Sequence, residues 1–119
     1  MSKNLLFSTS SELISVPSEA VVYISADGNY SSIKMRDNNE YVLTLQLGQI
    51  EKRISEMAED NRFIRIGKSL IINLEYITFI NPSRQRLVLS DCRTFRVELY
   101  ASKEALKALK DFIEKEEKK

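Results

Sequence analysis

The sequence has no histidine and no tryptophan, and its only cysteine is Cys92. The missing histidine excludes imidazole-based catalytic triads and metal sites, and it removes the usual proton carrier near neutral pH. A single thiol cannot form an internal disulfide, and it cannot supply the several ligands of a zinc site. Cys92 also has no histidine that could activate it as a nucleophile. We therefore expect no enzyme activity, no metal and no cofactor.

Long apolar segments are also missing. No apolar run approaches the roughly 18 residues of a membrane helix, and the N-terminal sequence MSKNLLFSTSS lacks the features of a signal peptide. These absences and the single cysteine predict a cytoplasmic protein without a membrane partner. A length of 119 residues, with 43% hydrophobic and 29% charged residues, predicts one globular domain over residues 1–119.

The apolar residues that are present fall into short alternating segments. Runs such as Val21–Ile24 and Tyr30–Arg36 alternate or are rich in β-branched residues, and turn-forming residues separate them. Later strands are predicted over residues 41–45, 75–80, 86–90 and 94–98, with Leu43, Leu45, Leu87 and Leu89 facing inward. Leu47 to about Ala58 has apolar residues at helical spacing, and Glu59-Asp60-Asn61 is expected to end this helix. Ser102 is suited to begin a final helix. The pattern predicts a mainly β fold with eight or more strands and two helices. Its parts are N-terminal strands in 1–20, a core in 21–101, and a C-terminal helix and tail in 102–119.

Positive charge is concentrated in one stretch of the sequence. From Arg62 to Arg96 there are seven cations against two acids, Glu75 and Asp91, so the segment carries +5. The stretch from Glu40 to Asp60 is acidic by comparison. If this segregation survives folding, one side of the protein is suited to face a polyanion.

The stretch FIRIGKSLIIN, residues 63–73, is the centre of this basic segment. Gly67-Lys68-Ser69 joins two apolar runs, so that a cation is presented by a rigid support. The same three residues resemble the end of a phosphate-binding loop, but Arg62 stands where the first glycine of that loop is required.

Other polar side chains also lie near predicted turns. Each one alone is most commonly a solvated surface residue. The shared positive charge from Arg62 to Arg96 favours contact with nucleic acid, because guanidinium and ammonium groups neutralise phosphates and bond to guanine. Without a recognition helix, loops or strands would have to enter the groove. The candidates are Tyr30, Lys68, Arg84, Arg86, Arg93 and Arg96.

Three segments resemble the DNA-binding domains of the LytTR family. They are VVYISADGNYSSIKM, FIRIGKSLIIN with the following EYITFI, and TFRVELYASKEALKAL, and the match extends from about Val21 to Leu109. The resemblance implies an elongated arrangement of antiparallel sheets with about ten short strands. It also implies a bacterial transcription regulator that places loop side chains in successive major grooves of double-stranded DNA. Family members commonly bind paired repeats, so a homodimer is a further expectation.

The resemblance assigns a role to several positions. Tyr30 and Lys68 match the base-reading sites of the first two loops, and the third site lies near Tyr100. Arg65 and Ser69 are expected near phosphates, and Asn73 is expected to bond backbone at a turn.

This sequence differs from the family in two respects. Glu98-Leu99-Tyr100 stands where a serine with a nearby arginine is common, and an acid near phosphates is unfavourable for the third contact. About twenty residues precede Val21, too few for a receiver domain, so a signal is expected to arrive through a separate protein or not at all.

Two other functions remain open. A protein-interaction module of the same fold could dock through the stripe Leu106, Leu109 and Ile113, or through a sheet edge. RNA binding is less favoured, because few aromatic residues suit base stacking beyond Tyr30 and Tyr41.

Overall fold

The structure is a computed structural model that describes residues 4–57 and 62–117. Within these residues it has ten strands in antiparallel sheets and two α-helices. This confirms the predicted mainly β fold with one internal and one C-terminal helix. The elements are β1 (Asn4–Ser8), β2 (Leu13–Pro17), β3 (Val21–Asp27), β4 (Tyr30–Met35), β5 (Glu40–Leu43), α1 (Leu47–Met57), β6 (Phe63–Ile66), β7 (Leu70–Asn73), β8 (Ile77–Asn81), β9 (Arg86–Ser90), β10 (Arg96–Tyr100) and α2 (Lys103–Glu117).

The chain forms two compact units. Unit 1 is Met1–Glu75 and unit 2 is Tyr76–Lys119. Unit 1 contains the β1–β2 hairpin, a five-stranded sheet in the order β5-β4-β3-β7-β6, and α1. Unit 2 contains a three-stranded sheet in the order β10-β9-β8, and α2.

The core of unit 1 lies on one face of its five-stranded sheet. Ser31, Ile33 and Met35 are all buried, as the alternation along β4 predicts. The β1–β2 hairpin contributes Phe7, and α1 contributes Ile50, both with no exposed surface. The sheet face is thus covered by the hairpin and the helix, which together exclude water from it.

Helix α1 follows its predicted apolar stripe. Leu47, Ile50 and Ile54 are buried. Among the described residues the helix extends from Leu47 to Met57. Before the helix, the Gln46 N–H donates to Gln49 Oε1 over 2.9 Å, which satisfies an amide at the helix start. The predicted end of the helix at Glu59-Asp60-Asn61 lies outside the described residues.

Unit 2 is a meander of three strands with a helix. Leu87 and Leu89 have no exposed surface, as predicted. Helix α2 contacts β8, and its Leu106 and Leu109 are buried. Ser102 Oγ accepts a hydrogen bond from the Ala105 N–H over 3.1 Å, which confirms the predicted N-cap. No helix among the described residues is both long and apolar enough to cross a membrane.

Two strand predictions need correction. The strand predicted to begin at Glu75 begins at Ile77, and Leu74–Tyr76 forms a 3₁₀ turn instead. Asn73 Oδ1 accepts the Glu75 N–H over 3.0 Å, and this bond turns the chain before it can extend. The strand predicted to begin at Thr94 begins at Arg96, because Asp91 captures the preceding amides.

The predicted strand Tyr41–Leu45 is shorter than expected. It is β5, Glu40–Leu43. Leu43 and Leu45 are buried as predicted, but 41% of Tyr41 is exposed. Strand β5 pairs only with β4, so Tyr41 lies at an open edge of the sheet, where alternation alone does not ensure burial.

Candidate nucleic-acid interface

Two turns of unit 1 lie side by side at one end of the five-stranded sheet. Strand β3 ends at Asp27, opposite Tyr30, and its Ser25 pairs with Leu70, the first residue of β7. The β3–β4 turn and the β6–β7 turn are therefore at the same end. The Ala26 N–H donates to the Ser69 carbonyl over 2.9 Å, which joins the two turns directly. We refer to these two turns, residues 28–30 and 67–69, as the two tips.

The β3–β4 turn presents Tyr30. It is a two-residue turn of Gly28 and Asn29, and Gly28 has a φ of 63°, a conformation that glycine adopts without steric cost. Tyr30 is the first residue of β4, and 49% of it is exposed. Because the hairpin fixes the backbone on both sides, the ring is held at the tip by the sheet.

The β6–β7 turn presents Lys68 and Ser69. Gly67 has a φ of 60°, so the turn depends on glycine there. Lys68 and Ser69 are exposed. Within the described parts of the chain, the Lys68 ammonium makes no ion pair. The second turn therefore presents an unneutralised cation next to the Tyr30 tip.

Arg65 supports this turn from within unit 1. Its Nη2 donates to the Lys68 carbonyl and its Nη1 to Glu51 Oε1 on α1, each over 3.0 Å. A Cβ at Gly48 would lie 3.6 Å from Arg65 Nη1, so the first turn of α1 also passes close to the guanidinium. Arg65 was predicted to lie near phosphates; the structure gives its guanidinium internal partners, and the phosphate contact stays a prediction.

Asn73 has the structural role that the sequence comparison implied. The residue has no exposed surface. Its Nδ2 donates to the Val21 carbonyl over 2.9 Å, and its Oδ1 accepts the Glu75 N–H over 3.0 Å. The side chain therefore fixes the ends of two neighbouring strands at the far end of the sheet from the tips.

Unit 2 separates its candidate residues between two ends of its sheet. Arg86 pairs with Tyr100, and Ser90 pairs with Arg96. With about 3.3 Å per residue, the two ends of β9 are roughly 13 Å apart. One end carries Arg84, Arg86 and Tyr100, and the other carries Arg93 and Arg96.

Glu98 gathers several of these side chains. Its Oε1 lies 2.6 Å from Arg86 Nε, and its Oε2 lies 3.8 Å from Arg96 Nη1. The Arg86 Nε–H does not point at the oxygen well enough for a hydrogen bond, so the contact is an ion pair. The Tyr100 hydroxyl donates to Glu98 Oε1 over 3.3 Å. The Glu98 carboxylate therefore neutralises one of the two arginine charges, and it is itself paired rather than an isolated surface acid.

Aromatic contact also holds Arg86. Its guanidinium carbon lies 5.6 Å from the centre of the Phe79 ring, within the range of a cation–π interaction. Arg86 is therefore fixed by Phe79 on one strand and Glu98 on another, and it is only partly exposed. The exposed cations at the turns of unit 2 are Arg84 and Arg93.

The turn that carries Arg93 is organised by Asp91. Asp91 Oδ1 accepts the N–H groups of Arg93, Thr94 and Phe95, and Oδ2 accepts the Thr94 hydroxyl. The bond from Thr94 Oγ1 first, and then those from the three amides, hold the pKa of the Asp91 carboxyl well below its usual range. The turn also places Cys92 at a φ of 62°.

The structure shows which charges of the basic segment remain available. Among the described residues, four of the seven cations from Arg62 to Arg96 have an acid partner: Arg62 pairs with Glu75 over 3.3 Å, and the pairs of Arg65, Arg86 and Arg96 are given above. Glu51 was not predicted as a partner. Its spacing on the polar face of α1 was visible, but its proximity to a strand 14 residues later was not.

Comparisons with known proteins agree with this architecture. A family model described as the LytTr DNA-binding domain matches residues 11–114. The Sensory transduction protein LytT of Bacillus subtilis (strain 168) is 28% identical over 108 residues, which cover 88% of this chain and 43% of that protein. This chain therefore spans less than half the length of that relative.

A solved structure has a similar fold. It is the LytTr DNA-binding domain of a Bacillus cereus protein assigned as a methyl-accepting/DNA response regulator. It superposes with a TM-score of 0.63 at 19% sequence identity, over 95% of this chain and 98% of that one. At this identity the likeness establishes the fold.

Proposed function

This chain belongs to the LytTR family of DNA-binding domains, and on that premise we propose that it binds double-stranded DNA sequence-specifically through the sheet end that carries Tyr30 and Lys68. LytTR domains are typical of transcription regulators. The two readers would enter one major groove together. The observation that carries the proposal is the 2.9 Å hydrogen bond between the Ala26 N–H and the Ser69 carbonyl, which makes the two tips one rigid surface.

The separation of the tips suits a major groove. The β3–β4 and β6–β7 turns are centred two strand spacings apart in the order β4-β3-β7-β6, which is about 10 Å at roughly 4.8 Å per strand. The major groove of B-form DNA is about 12 Å wide. A lysine and a tyrosine hydroxyl can each bond to base edges there, while Ser69 can donate to a phosphate.

The chemistry of the tip favours a polyanion. Lys68 is exposed and makes no ion pair among the described residues, and Glu51 is paired with Arg65. The ammonium therefore keeps its full charge for a partner. Because the backbone carbonyl of Lys68 is held by Arg65, little ordering of the turn would be required on binding.

A selection from a random duplex pool, followed by fluorescence anisotropy on the selected duplex, tests the proposal. Lys68→Ala should weaken binding by about 1–3 kcal/mol, roughly 5- to 150-fold, because a base contact and a cation are lost. Lys107→Ala is the matched control, since it removes an exposed lysine from the surface of α2. If Lys68→Ala binds selected and random duplexes as the parent does, Lys68 is not a reader.

The third reader is proposed at the Tyr100 end of unit 2. Arg84 and Arg86 lie at this end, and Arg84 is exposed, so a phosphate contact there is supported by charge. Arg93 and Arg96 at the other end are proposed as further phosphate contacts. Tyr100→Ala should relax base preference at positions that Lys68→Ala leaves unchanged, as a second selection from the random pool would show.

We further propose regulation of transcription in the cytoplasm, by a homodimer on paired repeats, under a signal from a separate protein. The names of the relatives, a sensory transduction protein and a response regulator, support a signalling role. The stoichiometry of the DNA complex by light scattering tests the dimer. Docking of a partner on the α2 stripe has less support, because Leu106 and Leu109 are buried.

A further inference from the structure

A groove in unit 1 lies between β2 and β5, apart from the two tips. Its volume is about 580 Å³. The groove is lined by Glu12 and Leu13 to Val16 on one side and by Glu40 to Val42 on the other. Strands β2 and β5 belong to different sheets, and each pairs with one neighbour among the strands that the structure describes. The groove therefore separates two open sheet edges.

The open edge of β5 presents backbone groups to this groove. The Met35 N–H donates to the Asn39 carbonyl over 2.8 Å at the start of the β4–β5 ladder. Hydrogen-bonded pairs alternate with non-bonded pairs along an antiparallel ladder, so the pair of Ile33 and Tyr41 is bonded. The backbone N–H and C=O groups of Glu40 and Val42 consequently point away from β4.

The open edge of β2 follows the same rule. The Thr9 N–H donates to the Glu12 carbonyl over 2.8 Å, so the backbone groups of Leu13 and Ser15 point away from β1. One bond corroborates this alternation. Leu6, which is opposite Ser15, turns its N–H away from β2 and donates to Met57 Sδ over 3.4 Å.

The side chains around the groove are apolar and acidic. The exposed fractions of Leu13, Tyr41 and Val42 are 63%, 41% and 53%, a large apolar exposure for neighbouring strands. Open edges are commonly protected by lysine or an inward charge, and no cation lines this groove. The two carboxylates are those of Glu12 and Glu40, and one Glu40 oxygen accepts the Ser32 hydroxyl over 2.6 Å, which leaves the other available.

We propose that this groove binds an extended segment of a partner protein, which adds as a strand between β2 and β5 and alternates apolar residues with lysine or arginine. The two edges supply backbone donors and acceptors, the exposed apolar side chains supply contact area, and Glu12 and Glu40 select the basic residues. Glu40 pairs with Lys34, four residues along β4 from Tyr30. The segment can therefore bind while the tips remain accessible, which suits the input of a signal.

The probe is a library of random octapeptides displayed on phage, selected on the full chain. Enriched peptides should alternate apolar and basic residues. A synthetic peptide with an enriched sequence should bind Val42→Pro at least tenfold more weakly than the parent protein. Proline at this position removes a backbone N–H at the open edge that is not bonded to β4. Val42→Thr, which keeps that N–H, should bind within about threefold of the parent. Glu12→Lys should weaken binding at least fivefold.

Val42→Lys is a second variant in case the proline disturbs the fold. It keeps the backbone and places a cation against the basic residues of the bound peptide, so binding should again fall at least tenfold. The far-UV circular dichroism of all variants, and the DNA affinity of Val42→Pro and Val42→Thr, should match the parent. In the bound state, hydrogen exchange should slow at the Glu40 and Val42 amides.

Three results would overturn the proposal. The library yields no enriched sequence, or the enriched peptides are acidic or lack alternation. The enriched peptides bind Val42→Pro and Val42→Lys as tightly as the parent. Alternatively, light scattering shows that the parent is a dimer and both variants are monomers, in which case the occupant is a second copy of this chain.

Discussion

The two units use similar turns and arrange them differently. In unit 2, consecutive hairpins of a meander place the turns that carry Arg84 and Arg93 at opposite ends of the sheet. In unit 1, the chain leaves the meander after β5, passes through α1 and returns as the β6–β7 hairpin next to β3. This crossover brings the Lys68 turn to the end that already carries Tyr30. The order of the strands, and not the residues of the turns, therefore places both turns at one end of the sheet.

The units also differ in how they use charge. In unit 1 the arginine next to the tip pairs with Glu51, and Lys68 stays unpaired among the described residues. In unit 2 the arginines Arg86 and Arg96 share Glu98. The segment from Arg62 to Arg96 is basic along the sequence. Among the described residues, its unpaired positive charge in unit 1 is at Lys68, and in unit 2 Glu98 neutralises part of its charge.

The largest expected effect concerns the support of the unit 1 tip. Asn73→Ala should lower the free energy of unfolding by about 2–3 kcal/mol, because the buried Val21 carbonyl and the Glu75 N–H both lose their partner. Urea denaturation measures this loss. Ser31→Ala, which removes one buried bond to the Leu45 carbonyl, should cost about 1–2 kcal/mol. Equal, negligible costs would contradict a rigid support.

Variants of Arg65 distinguish a residue that positions the Lys68 turn from one that contacts a phosphate directly. Arg65→Met should weaken DNA binding by about 1 kcal/mol, since the Lys68 carbonyl loses its donor. Arg65→Lys should lose nearly as much, because an ammonium cannot bridge Glu51 and the turn as the planar fork does. A salt dependence that is unchanged in both variants would show that Arg65 only positions the Lys68 turn. A slope smaller by about 0.9 in Arg65→Met alone would instead identify a phosphate contact.

Glu98 tests the neutralisation in unit 2. Glu98→Gln releases Arg86 and Arg96 from their shared acid, so affinity for random duplex at low salt should rise about threefold to tenfold. The salt slope should increase by about 0.9 for each phosphate gained. Glu104→Gln makes the same charge change in the first turn of α2 and should have a smaller effect. Equal gains in the two variants would show that only net charge matters.

The smallest effect is a pH dependence from Asp91. The hydrogen bond from Thr94 Oγ1, followed by those from three amides, lowers the pKa of this carboxyl in the folded state. A lowered pKa stabilises the fold above the unfolded value, about 3.9, and this stabilisation is lost as the pH falls below that value. Thermal melts between pH 2 and 6 should therefore show a shallower acid decline for Asp91→Asn than for the parent. Superimposable declines would exclude the contribution.

Much of the fold was predictable because it rests on local patterns. Alternation along β4 and the helical spacing in α1 identify which residues are buried, and both predictions are confirmed. The start of β8 was not predictable from alternation. Asn73 captures the Glu75 amide and forces a turn where apolar periodicity favours a strand.

The candidate site was less predictable than the fold. The glycine at position 67 and the turn at Gly28 mark the two tips in the sequence, and the family resemblance relates them to each other. The pairing of Arg65 with Glu51 and of Arg86 with Glu98 spans 14 and 12 residues and depends on strand order. Counting charges along the sequence therefore overestimates the cations that are available to DNA.

The most direct test of the account is a titration of the ¹⁵N-labelled protein with the selected duplex, followed by amide chemical shifts. The account predicts the largest shifts at residues 28–30 and 67–69, the two turns at one end of the unit 1 sheet. The β4–β5 turn at residues 37–39 lies at the opposite end of the same sheet and should shift little. Large shifts at 37–39 with none at the two tips would contradict the account.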